Sequence, residues 1–173
     1  MSAGALFERA KRGESTAWSE LFQTLAPAVA GYLRLRGARE PDDLTSETFI
    51  AVFRNIATFD GTPEQFRSWV FVIAHRRLLD ERRKHGRRPE QAPMVELATE
   101  DDVDGAMSAE RVKALCARLP ADQADVIVLR ILGDFTIEQI AEVVGKSAGA
   151  VKQLQRRGLE NLRRISLSEA VPL

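Results

Sequence analysis

Lys152, Gln153, Arg156 and Arg157 lie within six residues of one another, spaced so that a helix would turn them away from an apolar stripe of Val151, Leu154, Gly158, Leu159 and Leu162. Cations so placed neutralise phosphates, and the paired polar groups of arginine and glutamine match guanine and adenine edges. The chemistry on offer is the reading of duplex DNA. Lys146 and Arg163 suit phosphates on either side. A second cluster lies upstream, where Arg76, Arg77, Arg82, Arg83, Lys84, Arg87 and Arg88 face only Asp80 and Glu81. On an isolated helix such a run repels itself unless an anion lies alongside, and a nucleic-acid backbone is the obvious one. Other chemistries find no support. There is no phosphate-binding loop and no Ser/His/Asp or Cys/His arrangement, so an enzyme is not expected. His75 and His85 have no cysteine or acidic partner at ligand spacing, so neither a metal nor another cofactor is expected.

The elements that must position these residues are helices. Thr136 and Gln139 form a capping box, Gly145 supplies a left-handed stop, and Ser147 can cap a second helix. Residues 136–164 thus have the shape of a helix-turn-helix, whose second helix enters a major groove. An ordinary amphipathic hairpin with a solvated basic face has the same local pattern, and the rest of the chain decides between them. Upstream, a short helix near Ala5–Arg12 leads to Gly13, and Ser15 or Thr16 can cap a long helix carrying Trp18, Leu21, Phe22, Leu25, Val29, Tyr32 and Leu33, with Pro27 placed to bend it. After Gly37–Pro41, a helix opens with Asp42, Asp43 and Glu47 at its positive end and shows Phe49, Ile50, Val52 and Phe53 as its apolar face. Thr62, Pro63 and Gln65 start another that runs towards His85 and Gly86, packing through Phe66, Trp69, Val70, Ile73 and Ala74. Downstream, Pro120 opens a helix in which Val126, Ile127, Leu129 and Ile131 feed a small core before Gly133. No alternating run is long enough for a sheet, so the fold class is all-α.

Charge divides the chain. Its 25 basic and 25 acidic side chains cancel. Residues 1–88 nevertheless carry an excess of cations and residues 108–173 a smaller one, while residues 89–107 hold six carboxylates, two prolines and no cation. Two small helical domains, 1–88 and 108–173, joined by a flexible acidic linker, are expected. The single cysteine, Cys116, sits in a helical apolar pattern with Val112, Leu115 and Leu119 and reads as a buried thiol. With no disulfide possible within the chain, no leader and no long apolar run, a cytoplasmic protein without membrane insertion is expected.

Taken together, the chain resembles an RNA polymerase sigma factor of the extracytoplasmic-function group, a bacterial family of two helical domains and a linker. The resemblance rests on Asp43-Leu44 with Glu47-Thr48-Phe49, on Phe66-Arg67-Ser68-Trp69 with Ile73-Ala74, and on Asp80 followed by arginines. In the second half it rests on Leu119-Pro120, Leu129-Arg130, Ile140-Ala141-Glu142, Gly145, Ser147, Gly149, Val151 and Lys152. It implies a promoter-specificity subunit that docks on core RNA polymerase through the β′ coiled coil and the β flap and is restrained by an anti-sigma factor. Asp43, Glu47, Thr48 and Val52 would make the β′ contact. The Thr58–Gln65 loop and the helix after it would hold the minus-ten element as single-stranded DNA, with Arg67, His75, Arg76, Arg77, Arg82 and Arg83 as its contacts. Lys146, Ala148, Lys152, Gln153, Arg156 and Arg157 would meet the minus-thirty-five element, and the acidic linker would thread a basic channel of the polymerase. Two departures bear on promoter choice: Arg76 stands where the group commonly has asparagine, and Ala150-Val151-Lys152-Gln153-Leu154-Gln155 replaces its usual polar pattern. The competing reading is a stand-alone helix-turn-helix regulator, for which the second domain alone would suffice.

Overall fold

A computed structural model describes residues 3–86 and 109–169. The proposed linker, Arg87, Arg88 and the chain ends lie outside the described residues. Within them the fold is entirely helical, in the order α1 (Ala3–Lys11), α2 (Ser15–Leu35), α3 (Pro41–Asn55), a 3₁₀ turn (Ile56–Thr58), α4 (Pro63–Lys84), α5 (Ala109–Ala117), α6 (Ala121–Gly133), α7 (Ile137–Val144) and α8 (Ala148–Glu169).

Local chemistry explains most boundaries. Thr62 accepts from the Gln65 amide at 3.3 Å while Gln65 Oε1 accepts from the Thr62 amide at 2.9 Å, so two orphan donors at the start of α4 are satisfied reciprocally. The same box opens α7 through Thr136 and Gln139. Gly86 follows α4 with φ +79°, and Gly145 ends α7 with φ +67°. Ser147 Oγ accepts from the Ala150 amide at 3.2 Å, as its place before α8 predicts. The start of α2 differs from expectation: its cap is Glu14, not Ser15 or Thr16. The Glu14 carboxylate is drawn to Arg9 at 2.6 Å and Arg12 at 3.3 Å, which lowers its pKa chiefly through the Arg9 hydrogen bond.

The end of α6 also differs. Gly133 lies in the last helical turn and Asp134 takes the left-handed conformation, φ 49°. A Cβ at Gly133 would overlap the ring of Phe135, so glycine is required for close approach and not for its own dihedral. The turn at Asp134 carries Phe135 inward, where it is fully buried.

Helices α1–α4 pack around Phe7, Leu21, Leu25, Val29, Tyr32, Leu33, Phe49, Val52, Phe66, Val70, Phe71 and Leu78. Phe59 anchors the turn before α4, its ring 4.9 Å from Trp69 and 5.6 Å from Phe66. In the second half, α6 is buried without interruption from Gln123 to Leu129 because α2 covers it on one side and α7 and α8 on others. It emerges beyond Leu129, which leaves Ile131 exposed rather than in the core. Leu159, expected in the stripe of α8, is likewise exposed, whereas Val151 and Gly158 are buried. Gly158 allows α8 to approach α6, since a Cβ there would stand 3.0 Å from Ile127 Cγ1. Cys116 is buried as expected, and burial raises its thiol pKa.

The two halves do not stand apart. Phe135 packs edge-on to Phe71 with ring centroids 4.9 Å apart, and α7 lies along α4 while α5 and α6 lie against α2, so one continuous apolar core runs through both.

Candidate nucleic-acid interface

Helix α8 is held by α6 and α7. Ile140 and Val143 of α7 close over Val151, and Leu162 and Ile165 pack against Leu119, Ala124 and Ile127. Asn161 Nδ2 donates to Gln123 Oε1 at 2.7 Å, which sets the rotation of α8 about its axis. That rotation leaves Lys152, Gln153, Arg156 and Arg157 exposed at the N-terminal half of the helix, the part that a helix-turn-helix inserts in a groove. Arg156 reaches only a loose pair with Glu160 at 3.9 Å, so its guanidinium is available. Ala148 is half-buried at the helix start. Lys146 is exposed but pairs with Asp122 at 3.2 Å. Sequence reasoning missed a groove of about 380 Å³ lined by Arg130, Ile137, Lys152, Gln155, Arg156 and Leu159. It places Gln155 and Leu159 beside the two expected readers, and Leu159 was disguised by its position in the apolar stripe.

The minus-ten candidates divide by helix face. Arg76 and Arg83 project outward, Arg83 towards Asp80 at 3.2 Å. Arg77 donates to Glu47 of α3 at 3.0 Å, joining a DNA candidate to a docking candidate in one ion pair. Arg67 is half-buried with its guanidinium carbon 4.9 Å from the centre of the Phe135 ring. Arg82 donates to the Arg36 carbonyl at 2.9 Å, and burial followed by the Arg36 charge lowers its pKa.

His75 lies on the inner face of α4. It is buried, its Nδ1 is 2.7 Å from the Tyr32 hydroxyl, and burial lowers its pKa. An imidazole so enclosed reaches no DNA in this arrangement.

Two docking candidates are also buried. Thr48 and Val52 are fully buried, and the Thr48 hydroxyl donates back to the Leu44 carbonyl at 2.7 Å. Helical period explains this, since 45, 48, 49 and 52 share the face turned to α2 and α4. Asp43 and Glu47 are exposed. The outward apolar residues of α3 are Ile50 and Phe53, 51% and 57% exposed, with Trp18 of α2 edge-on to Phe53 at 5.0 Å between centroids. Their exposure beside two carboxylates is the signal that marks this face; in the sequence they formed one apolar face with Phe49 and Val52. The backbone amides of Arg39 and Glu40 donate to the Glu81 carboxylate at 3.1 and 3.3 Å, which ties the start of α3 to α4.

A buried ion pair at the junction of the halves was also not foreseen. Arg36 Nε donates to Asp125 Oδ1 at 2.5 Å and Arg36 Nη2 to the Ala121 carbonyl at 3.1 Å, with side chains only 5% and 6% exposed. A carboxylate inside the apolar run Ala124–Leu129 was the available clue.

A paired-helix DNA reader and a basic helical bundle in one chain define a two-part promoter-recognition architecture, and comparison with known proteins agrees. The family model described as Sigma-70 region 2 matches residues 21–88, and that described as Sigma-70 region 4 matches residues 115–164. The extracytoplasmic-function (ECF) RNA polymerase sigma factor BldN of Streptomyces coelicolor is 32% identical over 95% of the chain, and the chain spans 66% of its length. The ECF sigma factor ShbA of Streptomyces griseus is 30% identical over 94% of each protein. The chain therefore belongs to the ECF group of the sigma-70 RNA polymerase sigma factors. The fold is also that of CnrH, solved in complex with the cytosolic domain of CnrY, with a TM-score of 0.72 at 24% identity over 99% of this chain and 100% of that one. RpoE of Bartonella quintana, solved with the anti-sigma factor NepR, gives 0.69 at 21% identity over 84% and 94%.

Proposed function

We propose that this chain binds core RNA polymerase and directs it to promoters whose minus-thirty-five element is read by α8 and whose minus-ten element is held by the Thr58–Gln65 loop and α4. The observation that carries this reading is the exposed row Lys152, Gln153, Arg156 and Arg157 on the outer face of a helix fixed by α6 and α7. Lys152, Gln153 and Arg156 read base edges, while Arg157 and Lys146 neutralise phosphates once Lys146 exchanges Asp122 for DNA. Arg76 and Arg83 on the outward side of α4, with Arg77 beside them once it leaves Glu47, suit the single-stranded backbone. Asp43, Glu47, Ile50 and Phe53 form the β′-docking face, in which carboxylates beside apolar side chains meet a basic partner helix. The C-terminal half approaches the β flap. The chain supplies specificity and no catalysis, and works in the cytoplasm with the polymerase; among the described residues no helix is long and apolar enough to cross a membrane.

The boundaries assigned to its domains are 1–88 and 108–173, with the acidic 89–107 segment crossing the polymerase between them. An anti-sigma factor covering the polymerase-facing surfaces is the expected restraint, in keeping with the partner present in the RpoE–NepR complex. Runoff transcription with purified core, mapped across a genomic library, tests the reading: promoter-specific initiation on addition of this protein is expected, and its absence at every promoter refutes it. Tight, sequence-specific duplex binding without core would instead favour the stand-alone regulator, a reading the region 2 match disfavours.

A further inference from the structure

Arg76 and Arg83 both project from the outward side of α4, but their surroundings differ. On a helix a side chain meets the residues three and four positions away in each direction. For Arg76 these are Val72, Ile73, Leu79 and Asp80, and the first three are apolar and half-buried. Val72 and Ile73 rest against the core with part of their surface still in water. Asp80 is the one carboxylate of the set, and Arg83 takes it at 3.2 Å. Arg77, next in the chain, takes Glu47 at 3.0 Å. Arg76 is left with neither an ion pair nor a side-chain hydrogen bond among the described residues. Its guanidinium is thus an unoccupied fork on an apolar strip, which continues one turn back to the half-buried indole of Trp69. The ring of Phe59 lies 4.9 Å from that indole between centroids and holds it in place.

We infer that Arg76 reads a base of the minus-ten strand, and that this base is guanine, held at O6 and N7 by two parallel N–H groups of the guanidinium. Promoter DNA lies at α4 only if the sigma-factor reading above holds, on which this assignment rests; what it adds is a base contact beyond the backbone contact that Arg76 shares with Arg83. A phosphate is hydrated and gains nothing from Val72, Ile73 or Trp69 beside it. A base has a flat face that buries against such side chains, whatever its sequence. Choice among bases then falls to the edge. Guanine presents two adjacent acceptors that match the fork bidentately, whereas adenine sets a donor beside N7 and thymine offers one acceptor beside a methyl group. A lysine at the same place would be a point charge without that geometry. Arg76 stands thirteen residues beyond Pro63, roughly 20 Å along the helix, so its base is distinct from any held by the Thr58–Gln65 loop at the other end of α4. Arg83, paired with Asp80 near the end of the helix, stays with the backbone.

The test uses holoenzyme assembled from core polymerase and the full chain, with a promoter recovered by the runoff screen. A pool of single-stranded oligonucleotides that carries the non-template strand of that promoter, randomised across its minus-ten element, is bound and sequenced. Wild type should enrich guanine at one position about tenfold over the other bases. Arg76→Lys, which keeps the charge and loses the fork, should abolish the preference at that position while preferences at the others persist. Arg83→Ala should weaken binding across the whole pool with the guanine preference intact. Arg76 is exposed, so its variants should melt with wild type, and thermal denaturation checks this. An Arg76→Lys holoenzyme with the wild-type profile overturns the assignment, as does a base other than guanine at the position that depends on Arg76. So does an Arg76→Ala holoenzyme that binds every sequence more weakly with no change of profile, because a phosphate contact alone behaves in that way. Each of these results leaves the sigma-factor function standing. A protein that initiates at no promoter refutes that function and the base contact with it.

Discussion

Replacing Tyr32 with phenylalanine removes one oxygen from the interior and separates the two roles open to His75. Tyr32 is fully buried, and its ring packs edge-on to Phe71 at 5.8 Å between centroids, a contact that Tyr32→Phe preserves. The cost is therefore polar. A hydrogen bond of 2.7 Å to His75 Nδ1 is lost, worth about 1 kcal/mol net, and the imidazole nitrogen is left without a partner, which raises the total to about 2 kcal/mol. For a chain of this size that corresponds to a fall in Tm of about 4–8 °C.

The pH dependence carries more information. Burial lowers the His75 pKa, and Arg82 and Arg36 lower it further while Asp125 and Asp122 oppose them. The unfolded imidazole, titrating near about 6.5, then takes up a proton at a pH where the folded one does not. Stability is complete above the unfolded pKa and is lost as pH falls through it, levelling once pH drops below the folded pKa. In the tautomer whose proton is on Nε2, the Tyr32 hydroxyl is the donor to Nδ1 and the bond favours neutral imidazole. Tyr32→Phe raises the folded pKa, and its deficit against wild type should shrink below about pH 6.5. Urea unfolding of both proteins between about pH 5 and 8 measures this, with His75→Gln expected to flatten the acid loss. A deficit below about 0.5 kcal/mol, or one independent of pH, refutes the reasoning. So does a His75→Gln protein of unchanged stability that binds a minus-ten strand less tightly, because that result returns His75 to the DNA surface.

The remaining expectations concern each surface in turn. Arg156→Ala should weaken specific minus-thirty-five duplex binding by about 1–3 kcal/mol and relax preference at one base position, whereas Arg157→Ala should weaken all sequences alike and lower the salt slope by about 0.9; anisotropy titrations at several salt concentrations separate them. The double change Ile50→Ser and Phe53→Ser should leave Tm within a few degrees, because both side chains are largely exposed, yet reduce association with core in a pull-down or interferometry measurement. Gly133→Ala should displace the Phe135 ring and cost about 1–3 kcal/mol by thermal melting, despite alanine's better helix propensity. A Gly133→Ala protein as stable as wild type would show that the ring has room to move.

Most local structure was legible in the sequence because its causes are local. The capping boxes at Thr62 and Thr136, the left-handed Gly145, the Ser147 cap and the burial of Cys116 depend on residues a few positions apart, and all form as their spacing predicts. The exposed row on α8 was legible for the same reason: a period of 3.6 assigns faces once a few buried positions are known. What the period does not assign is which apolar face of α3 is covered. Thr48 and Val52 turn inward and Ile50 and Phe53 outward because α2 and α4 occupy one side of α3 and nothing among the described residues occupies the other.

The same limit applied to Ile131 and Leu159, which have core composition but which the described helices leave exposed. Tertiary structure alone decided the fate of the long-range charges. Arg36 and Asp125 are 89 positions apart, and His75 and Tyr32 43 apart, so no local signal pairs them. The chain by itself determined where most helices begin and end, that two basic helical blocks exist, and which cations of the second block stay exposed. Only packing determined that α4 turns Arg67 to the Phe135 ring, and His75 and Arg82 to Tyr32 and the Arg36 carbonyl at the end of α2, while Arg76 and Arg83 face solvent, because that choice depends on which surface of a partner helix is close enough to exclude water.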